Sequence, residues 1–269
     1  MANEFRRHVH GGFCFGIVQK GVRVINRGGT STEIPEEGLF VINPGESHAC
    51  KSLCGDHSYV TVCVEAENMK AIASQISEKA CASPYFKDVL LHDLELSSEI
   101  RRFFSLVEMK SSVLETESLL LSFLSTLILR HGNGAPAPFR MGSQDAAIKR
   151  ACEFMRMNYA RDLSLKQLSR EACLSPFYFQ RLFIENTGVS PHDYLVQFRI
   201  KKARALLLEG HGIAGVALDT GFADQSHFTR SFKRVTGVTP GGYIRAIQPG
   251  FLANGVDAAP ETLYEKIRR

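Results

Sequence analysis

The sequence predicts an α+β protein in two parts: a small β-barrel followed by helices, and then an all-α part with two helix-turn-helix units. Three observations predict this architecture. Short β-rich runs punctuated by glycine fill residues 5–65, helical periodicity begins at Asn68, and one pattern occurs twice between Leu163 and Tyr243, 49 residues apart. A repeat at a fixed offset is one structural unit used twice.

The predicted strands lie in the first 65 residues. Residues 13–18, 22–26, 38–43 and 58–65 are rich in β-branched and aromatic side chains, and Gly21, Gly28 and Gly45 stand at the breaks between them. Several short strands with glycine-containing turns indicate a small barrel.

Three helices are predicted next, over residues 69–82, 97–110 and 115–131, because apolar side chains recur there at helical spacing. The third helix has a wide apolar stripe, which either packs on the barrel or forms the seam of a homodimer. The stripe consists of Leu120, Phe123, Leu124, Leu127 and Ile128.

Charge and composition divide the chain at a linker, residues 132–140, whose Gly132–Pro138 part carries no charge. Residues 1–131 hold 13 Lys and Arg against 16 Asp and Glu, whereas residues 140–247 hold 16 against 9. The basic excess of the second part is typical of proteins that bind phosphates of nucleic acid. We assign no role to the tail, residues 248–269.

Composition also bears on location. The chain has seven cysteines and no CxxC pair, which favours free thiols in a reducing cytoplasm. No apolar run approaches the length of a membrane span, and the N-terminus does not resemble a signal peptide. We therefore expect a cytoplasmic protein without a membrane partner.

The repeated unit is predicted to be two short helices joined by a tight turn. In the first copy a helix over residues 164–172 is followed at once by Ser175 and Pro176, which suit the N-cap and the first position of a second helix. Gly188 ends that helix. In the second copy Asp224 and Gly237 stand at the matching positions. Such a pair is a helix-turn-helix.

The outward face of the second helix in each copy is the candidate DNA-contacting surface, because Gln and Arg match the edges of adenine and guanine in the major groove. The alternative is an ordinary solvated helix face. The candidate residues are Phe177, Gln180 and Arg181 in the first copy, and Gln225, Ser226, His227, Thr229 and Arg230 in the second.

A helix over residues 191–208 joins the two copies, and at 1.5 Å per residue it is about 27 Å long, close to the ~34 Å between successive major grooves. Its basic side chains are candidates for phosphate or structural contacts: Arg199, Lys201, Lys202 and Arg204.

The second copy carries a long signature: Ile213-Ala214, Ala217, Gly221-Phe222, Asp224, Ser226, Phe228, Arg230, Phe232-Lys233-Arg234, Gly237, Thr239-Pro240 and Tyr243. This signature resembles the AraC/XylS family of bacterial transcription regulators, although residues 216–220 and Ile244 depart from it. The resemblance implies seven helices in the second part, two recognition helices and binding to double-stranded operator DNA. It also favours a homodimer, and RNA polymerase is a further candidate partner.

The first part resembles the cupin-like sensor domain of many AraC-type regulators, on the strength of His8-x-His10, Gly21 and Pro44-Gly45-Glu46-x-His48. The resemblance implies a domain over residues 1–131 that binds a small-molecule effector and mediates dimerisation, joined to a DNA-binding domain over residues 141–247. Metal-binding cupins have a longer spacing between Pro and His, and a Glu after the first His pair. This chain lacks both.

Histidines of the first part allow three interpretations. His8, His10 and His48 could bind a metal ion, as could a looser group formed by His48, Cys50, Cys54 and His57. They could also line the barrel or its turns, or help to form a pocket for a small organic ligand. We predict a ligand site without metal or cofactor, formed by His8, His10, Arg23, His48 and Tyr59.

No catalytic constellation is visible: the sequence has no Ser/His/Asp motif, no phosphate-binding glycine loop and no HExxH. We predict a non-enzymatic transcription regulator controlled by a small molecule. The alternatives are a DNA-repair enzyme that accepts methyl groups on cysteines such as Cys50 or Cys54, a cupin-type enzyme, and a protein with a purely structural role.

Overall fold

The computed structural model describes residues 5–53, 57–77, 79–133 and 145–247. It divides into two compact units, Met1–Lys110 with Leu119–Gly142, and Ser111–Ser118 with Ser143–Arg269. Most of the predicted linker and the whole tail lie outside the described residues, and so does Cys54. A short segment that precedes the linker therefore belongs to the second unit.

The first unit contains two four-stranded antiparallel sheets, with strand orders β1-β6-β3-β4 and β7-β2-β5-β9. All four predicted strand runs are confirmed. The strands are β1 (Phe5–His8), β2 (Gly12–Lys20), β3 (Arg23–Arg27), β4 (Thr30–Ile34), β5 (Leu39–Ile42), β6 (His48–Ser52), β7 (Ser58–Glu65), β8 (Tyr85–Phe86), β9 (Leu90–Leu91) and β10 (Gly132–Asn133), of which β8 and β10 pair with each other.

Strand β2 has an uninterrupted apolar run because both of its faces are covered. Phe13 and Phe15 lie on one face, and the ring centroid of Phe15 is 6.1 Å from that of Phe86 and 6.0 Å from that of Phe123. Cys14 and Val18 lie on the other face and are also buried.

Three helices follow the strands: α1 (Ala66–Ser77), α2 (Leu94–Glu108) and α3 (Val113–His131). Helices α1 and α2 belong to the first unit, whereas α3 starts in the second unit and continues in the first from Leu119. The apolar stripe of α3 is covered within the chain, since Phe123, Leu124, Leu127 and Ile128 are all buried while Leu120 is half-buried. Packing against the first unit therefore accounts for these four side chains, and the homodimer remains a prediction.

Seven helices lie in the described part of the second unit, as the resemblance implies. Both helix-turn-helix units are present, as α5–α6 and α8–α9. The helices are α4 (Asp145–Met157), α5 (Leu165–Glu171), α6 (Pro176–Thr187), α7 (Pro191–Leu208), α8 (Ile213–Asp219), α9 (Gln225–Thr236) and α10 (Pro240–Ile247).

The repeated residues of the sequence form the same core contact twice. Phe183 packs with its ring centroid 5.4 Å from that of Phe179 and 5.5 Å from that of Tyr194. In the second copy Phe232 lies 5.5 Å from both Phe228 and Tyr243. Each recognition helix is thus fixed by aromatic side chains at identical positions.

Of the helices in the described ranges, none is both long enough and apolar enough to pass through a membrane.

Candidate DNA-binding surface and effector site

Helix α6 is capped at both ends, by Ser175 at its N-terminus and by Gly188 at its C-terminus. The Ser175 hydroxyl accepts a hydrogen bond from the backbone N–H of Tyr178 at 3.3 Å, Pro176 occupies the first turn, and Gly188 ends the helix with φ of 74°. These caps satisfy free backbone groups at both ends and set the direction in which the helix presents its side chains.

Helix α9 is capped in the same way. The Asp224 carboxylate accepts a hydrogen bond from the N–H of His227 at 2.7 Å, and Gly237 ends the helix with φ of 82°. The preceding turn depends on Gly221, which has φ of 84° and lies so close to Ala160 that a Cβ would be 2.7 Å from the Ala160 carbonyl oxygen. Only glycine fits this turn without strain.

The second copy presents most of its predicted residues to solvent. Gln225, Ser226 and Arg230 are exposed on α9, and Thr229 is half-buried. His227 is also half-buried, because its ring packs at 5.3 Å, edge to face, against Phe222 in the turn. Burial is the main cause that lowers the pKa of His227, so its imidazole is neutral at pH 7. The exposed trio remains the candidate set for base contacts.

Gln180 in the first copy does not follow the prediction that it points outward. Its side chain is only 8% exposed, and its amide nitrogen donates a hydrogen bond to the Ser118 carbonyl oxygen at 3.0 Å. Gln180 follows the buried Phe179 by one residue, about 100° around the helix, and so lies at the edge of the buried stripe. Residues 111–118, which comprise the start of α3 and the two residues before it, cover that edge.

The other two candidates of the first copy are half-buried. The Arg181 Nε is 2.9 Å from Glu185 Oε1, one helical turn further along α6, and Phe177 lies near the start of the helix. The Arg181 side chain remains 31% exposed, so Arg181 stays a candidate for contact with DNA.

Residues 111–118 make further contacts within the second unit that the sequence did not reveal. Glu117 Oε2 accepts a hydrogen bond from the Leu165 N–H at 2.8 Å, at the first residue of α5. Glu115 Oε2 lies 3.5 Å from His192 Nε2, with both side chains buried. At that distance the contact is an ion pair only when His192 is protonated, and no hydrogen bond to Nε2 is present among the described residues.

The basic residues of α7 differ in burial: one is buried and structural, and three are exposed and remain candidates for phosphate contacts. Arg199 is a structural residue: it is buried and donates hydrogen bonds to the carbonyl oxygens of Tyr159 at 2.7 Å and Arg161 at 2.8 Å. Burial lowers its pKa to about 10, so it stays charged at pH 7. The three remaining cations, Lys201, Lys202 and Arg204, are exposed.

In the first unit, three predicted site residues converge. The ring centroids of His8, His10 and His48 lie 4.4 to 5.1 Å apart, and the nearest ring nitrogens of His8 and His10 are 3.1 Å apart. The Nδ1 of His48 is 3.0 Å from the Glu46 carbonyl oxygen and donates to it, which leaves Nε2 as the acceptor.

The neutral state of His10 and His48 favours ligand binding at this cluster. Burial is the first cause that lowers the pKa of both His10 and His48, and the neighbouring His8 lowers them further. The ring nitrogens of the three histidines lie within 4.8 Å of one another and could hold a divalent transition metal ion or accept hydrogen bonds from an organic ligand.

The other two predicted residues also lie together. The Arg23 guanidinium is buried and stacks 3.6 Å from the centroid of the Tyr59 ring. Arg23 also contacts His57 Nε2 at 3.3 Å, and the His57 ring stacks on Tyr59. His57 therefore joins Arg23 and Tyr59, whereas the sequence grouped it with His48. Arg23 nevertheless lies near enough to His48 to lower its pKa.

These two units define the class of protein: a candidate ligand-binding sheet domain on the same chain as paired helix-turn-helix motifs is the architecture of a ligand-responsive DNA-binding regulator. Residues 1–124 match the family model of the AraC-like ligand binding domain, and residues 168–246 match that of a helix-turn-helix domain. The chain belongs to the AraC family of transcription regulators.

Similar proteins include the HTH-type transcriptional regulator YbfI of Bacillus subtilis (strain 168), 29% identical over 225 residues, which are 83% of this chain and 81% of YbfI. The virulence regulon transcriptional activator VirF of Yersinia enterocolitica is 37% identical over 93 residues, or 34% of each chain. Among solved structures, the C-terminal domain of AraT from Geobacillus stearothermophilus is 27% identical, with a TM-score of 0.37 over 41% of this chain and 93% of that one.

Proposed function

We propose that this AraC-family protein binds operator DNA through both helix-turn-helix units and changes its DNA affinity when a small molecule binds to its first unit. The observation that carries the proposal is the surface of α9, where Gln225, Ser226 and Arg230 are exposed together at the start of a helix fixed by its caps. Side chains at the start of a recognition helix contact base edges in the major groove.

The test begins with selection of operator sequences from random duplex DNA by the full-length protein. The two recognition helices differ in sequence, so we expect each protomer to protect an asymmetric site, and a dimer to protect a direct repeat of it. A footprint of one helical turn with perfect inverted symmetry would contradict the use of both units.

We propose that the effector binds to a site formed by the histidine cluster (His8, His10 and His48), Arg23 and Tyr59. Compounds that raise the melting temperature of the full-length protein should also change its operator affinity, and His48→Ala and Arg23→Ala should reduce both effects. A compound that alters DNA binding equally in the wild type and in both variants acts elsewhere.

The convergence of the three imidazoles of His8, His10 and His48 favours a second candidate effector, a divalent transition metal ion. Zn²⁺ or Ni²⁺ titrated into apo protein should then bind with about one ion per chain, and His10→Ala should weaken binding. Unchanged affinity in His10→Ala would exclude the cluster as the metal site.

We also propose that the protein forms a homodimer, contacts RNA polymerase and is located in the cytoplasm. Sedimentation at micromolar concentration tests the dimer directly.

The relatives named above carry the names of transcription regulators, which supports a function without enzymatic activity.

A further inference from the structure

Two cysteines of the first unit face each other across a strand pair. Cys14 of β2 is the register partner of Cys63 of β7, and their sulfur atoms are 2.8 Å apart. Directly opposed residues in an antiparallel pair have Cα atoms about 4.5 or 5.5 Å apart. Both values lie within the range of about 4.4–6.8 Å that a disulfide spans. A bond between these sulfurs therefore requires no movement of the strands.

The two thiols differ in access. Cys63 is exposed, and β7 is the outer strand of its sheet, so a small oxidant can reach its sulfur. Cys14 is buried among core side chains such as Phe40 and Ile25, and burial raises its pKa to about 12. Cys63 is thus the thiol that meets the oxidant, and Cys14 is the thiol held ready beside it.

We propose that Cys14 and Cys63 form a reversible disulfide, a modification site of the first unit, when the protein meets a hydroperoxide. The Cys63 sulfur attacks the peroxide and breaks the O–O bond, which gives a sulfenic acid and releases an alcohol, or water when the oxidant is hydrogen peroxide. The Cys14 sulfur then attacks the Cys63 sulfur, and the hydroxyl group leaves as water with the Cys14 proton. Two thiols lose two electrons, and the peroxide gains them.

The reverse reaction needs a dithiol reductant, which restores both thiols and becomes a disulfide itself. Disulfides that are exposed or strained are the ones reduced most readily. A bond between directly opposed strand residues with one exposed sulfur belongs to this group, so the pair stays reduced in a reducing compartment and closes only under oxidation.

The remaining described cysteines are differently placed. Cys50 is buried on β6 in the same core cluster as Cys14, but its register partner in β3 is Ile25, and it lies in residues 28–51, a different tryptic peptide from that of Cys63. Cys81 is hydrogen-bonded to Ser77, Cys152 is buried in α4, and Cys173 is exposed in the turn of the first helix-turn-helix. Cys173 provides a matched control, since it is exposed and belongs to the other unit.

The test uses the reduced full-length protein. Hydrogen peroxide is added, the remaining thiols are alkylated, and the protein is digested with trypsin without reduction. Mass spectrometry should find residues 8–20 linked to residues 52–70, and the linked mass should disappear after dithiothreitol. Residues 52–70 also contain Cys54, so fragmentation and a Cys54→Ser variant assign the bond to Cys63.

Three variants separate the outcomes. Cys63→Ser, at an exposed position that should not disturb folding, should lose the linked peptide, and Cys173→Ser should keep it. Cys14→Ser should leave a Cys63 sulfenic acid that dimedone labels more strongly than in the wild type. The proposal is overturned when oxidised wild type has no Cys14–Cys63 link, or when Cys63 is found bonded only to a second chain.

Discussion

Arg230 and Gln180 are both predicted to face DNA, but the structure exposes only one of them. Arg230 is exposed on α9, as a side chain that contacts a base must be. Gln180, at the matching helix in the first copy, is held by the Ser118 carbonyl. The predicted DNA-contacting residues are therefore not all accessible: Arg230 is exposed and Gln180 is buried.

We expect Arg230→Ala to weaken operator binding by about 1–3 kcal/mol and to relax the preference at one base position, because a bidentate contact to guanine is lost. Arg181→Ala should act in the same way at a different position. Fluorescence anisotropy on a panel of single-base operator variants measures both effects. Arg170→Ala, an exposed cation on α5, is the control and should leave base preference unchanged.

Gln180→Ala should behave differently. Removal of its amide leaves the buried Ser118 carbonyl without that donor, so the free energy of unfolding should fall by about 1–3 kcal/mol. Base preference should stay as in the wild type, because the side chain faces the protein. Urea unfolding and the same operator panel test the two statements, and a changed preference at one base would show that Gln180 reaches DNA in the complex.

At the scale of elements, each recognition helix is fixed by its caps and by the turn before it. Gly221→Ala should lower the free energy of unfolding by about 1–3 kcal/mol, because alanine is strained at φ of 84° and its Cβ would meet the Ala160 carbonyl. Gly215 is a matched control inside α8, with no atom within 4 Å of the added Cβ. Gly215→Ala should be stabilising by about 0.5–1 kcal/mol.

Urea denaturation of both glycine variants checks this prediction, with operator affinity as a second measurement. If Gly221→Ala is as stable as the wild type, the close approach of the turn to Ala160 does not exist in solution.

For the whole molecule, we predict that residues 140–269 fold and bind DNA by themselves, with an affinity that falls steeply as salt rises because counterions are released from phosphates. Binding should be weaker than that of the full-length protein if a dimer makes the second contact intramolecular. The fragment lacks residues 111–118 and so loses the hydrogen bonds to Gln180 and Leu165, which should lower its stability.

A salt titration of the fragment and the full-length protein on one operator measures this. An effector that binds the first unit should change only the full-length affinity. An insoluble fragment, or one whose binding is independent of salt, would contradict the proposed division at the linker.

The sequence by itself determined the features that depend on short-range chemistry. The repeat of Phe179 and Phe183 as Phe228 and Phe232 predicts two copies of one unit, and Ser175 and Asp224 locate the start of each recognition helix. Caps and periodicity act within a few residues along the chain, so they can be recognised without knowledge of the fold.

Tertiary structure alone decided which side chains meet across elements. Helical spacing cannot tell that residues 111–118 cover Gln180, nor that the stripe of α3 is used inside the chain. Strand alternation assigns a residue to a face but not to a partner, so Cys14 opposite Cys63 and the meeting of His8, His10 and His48 follow only from the sheet order and register. These contacts join residues far apart in the chain, and the packing of the complete core selects them.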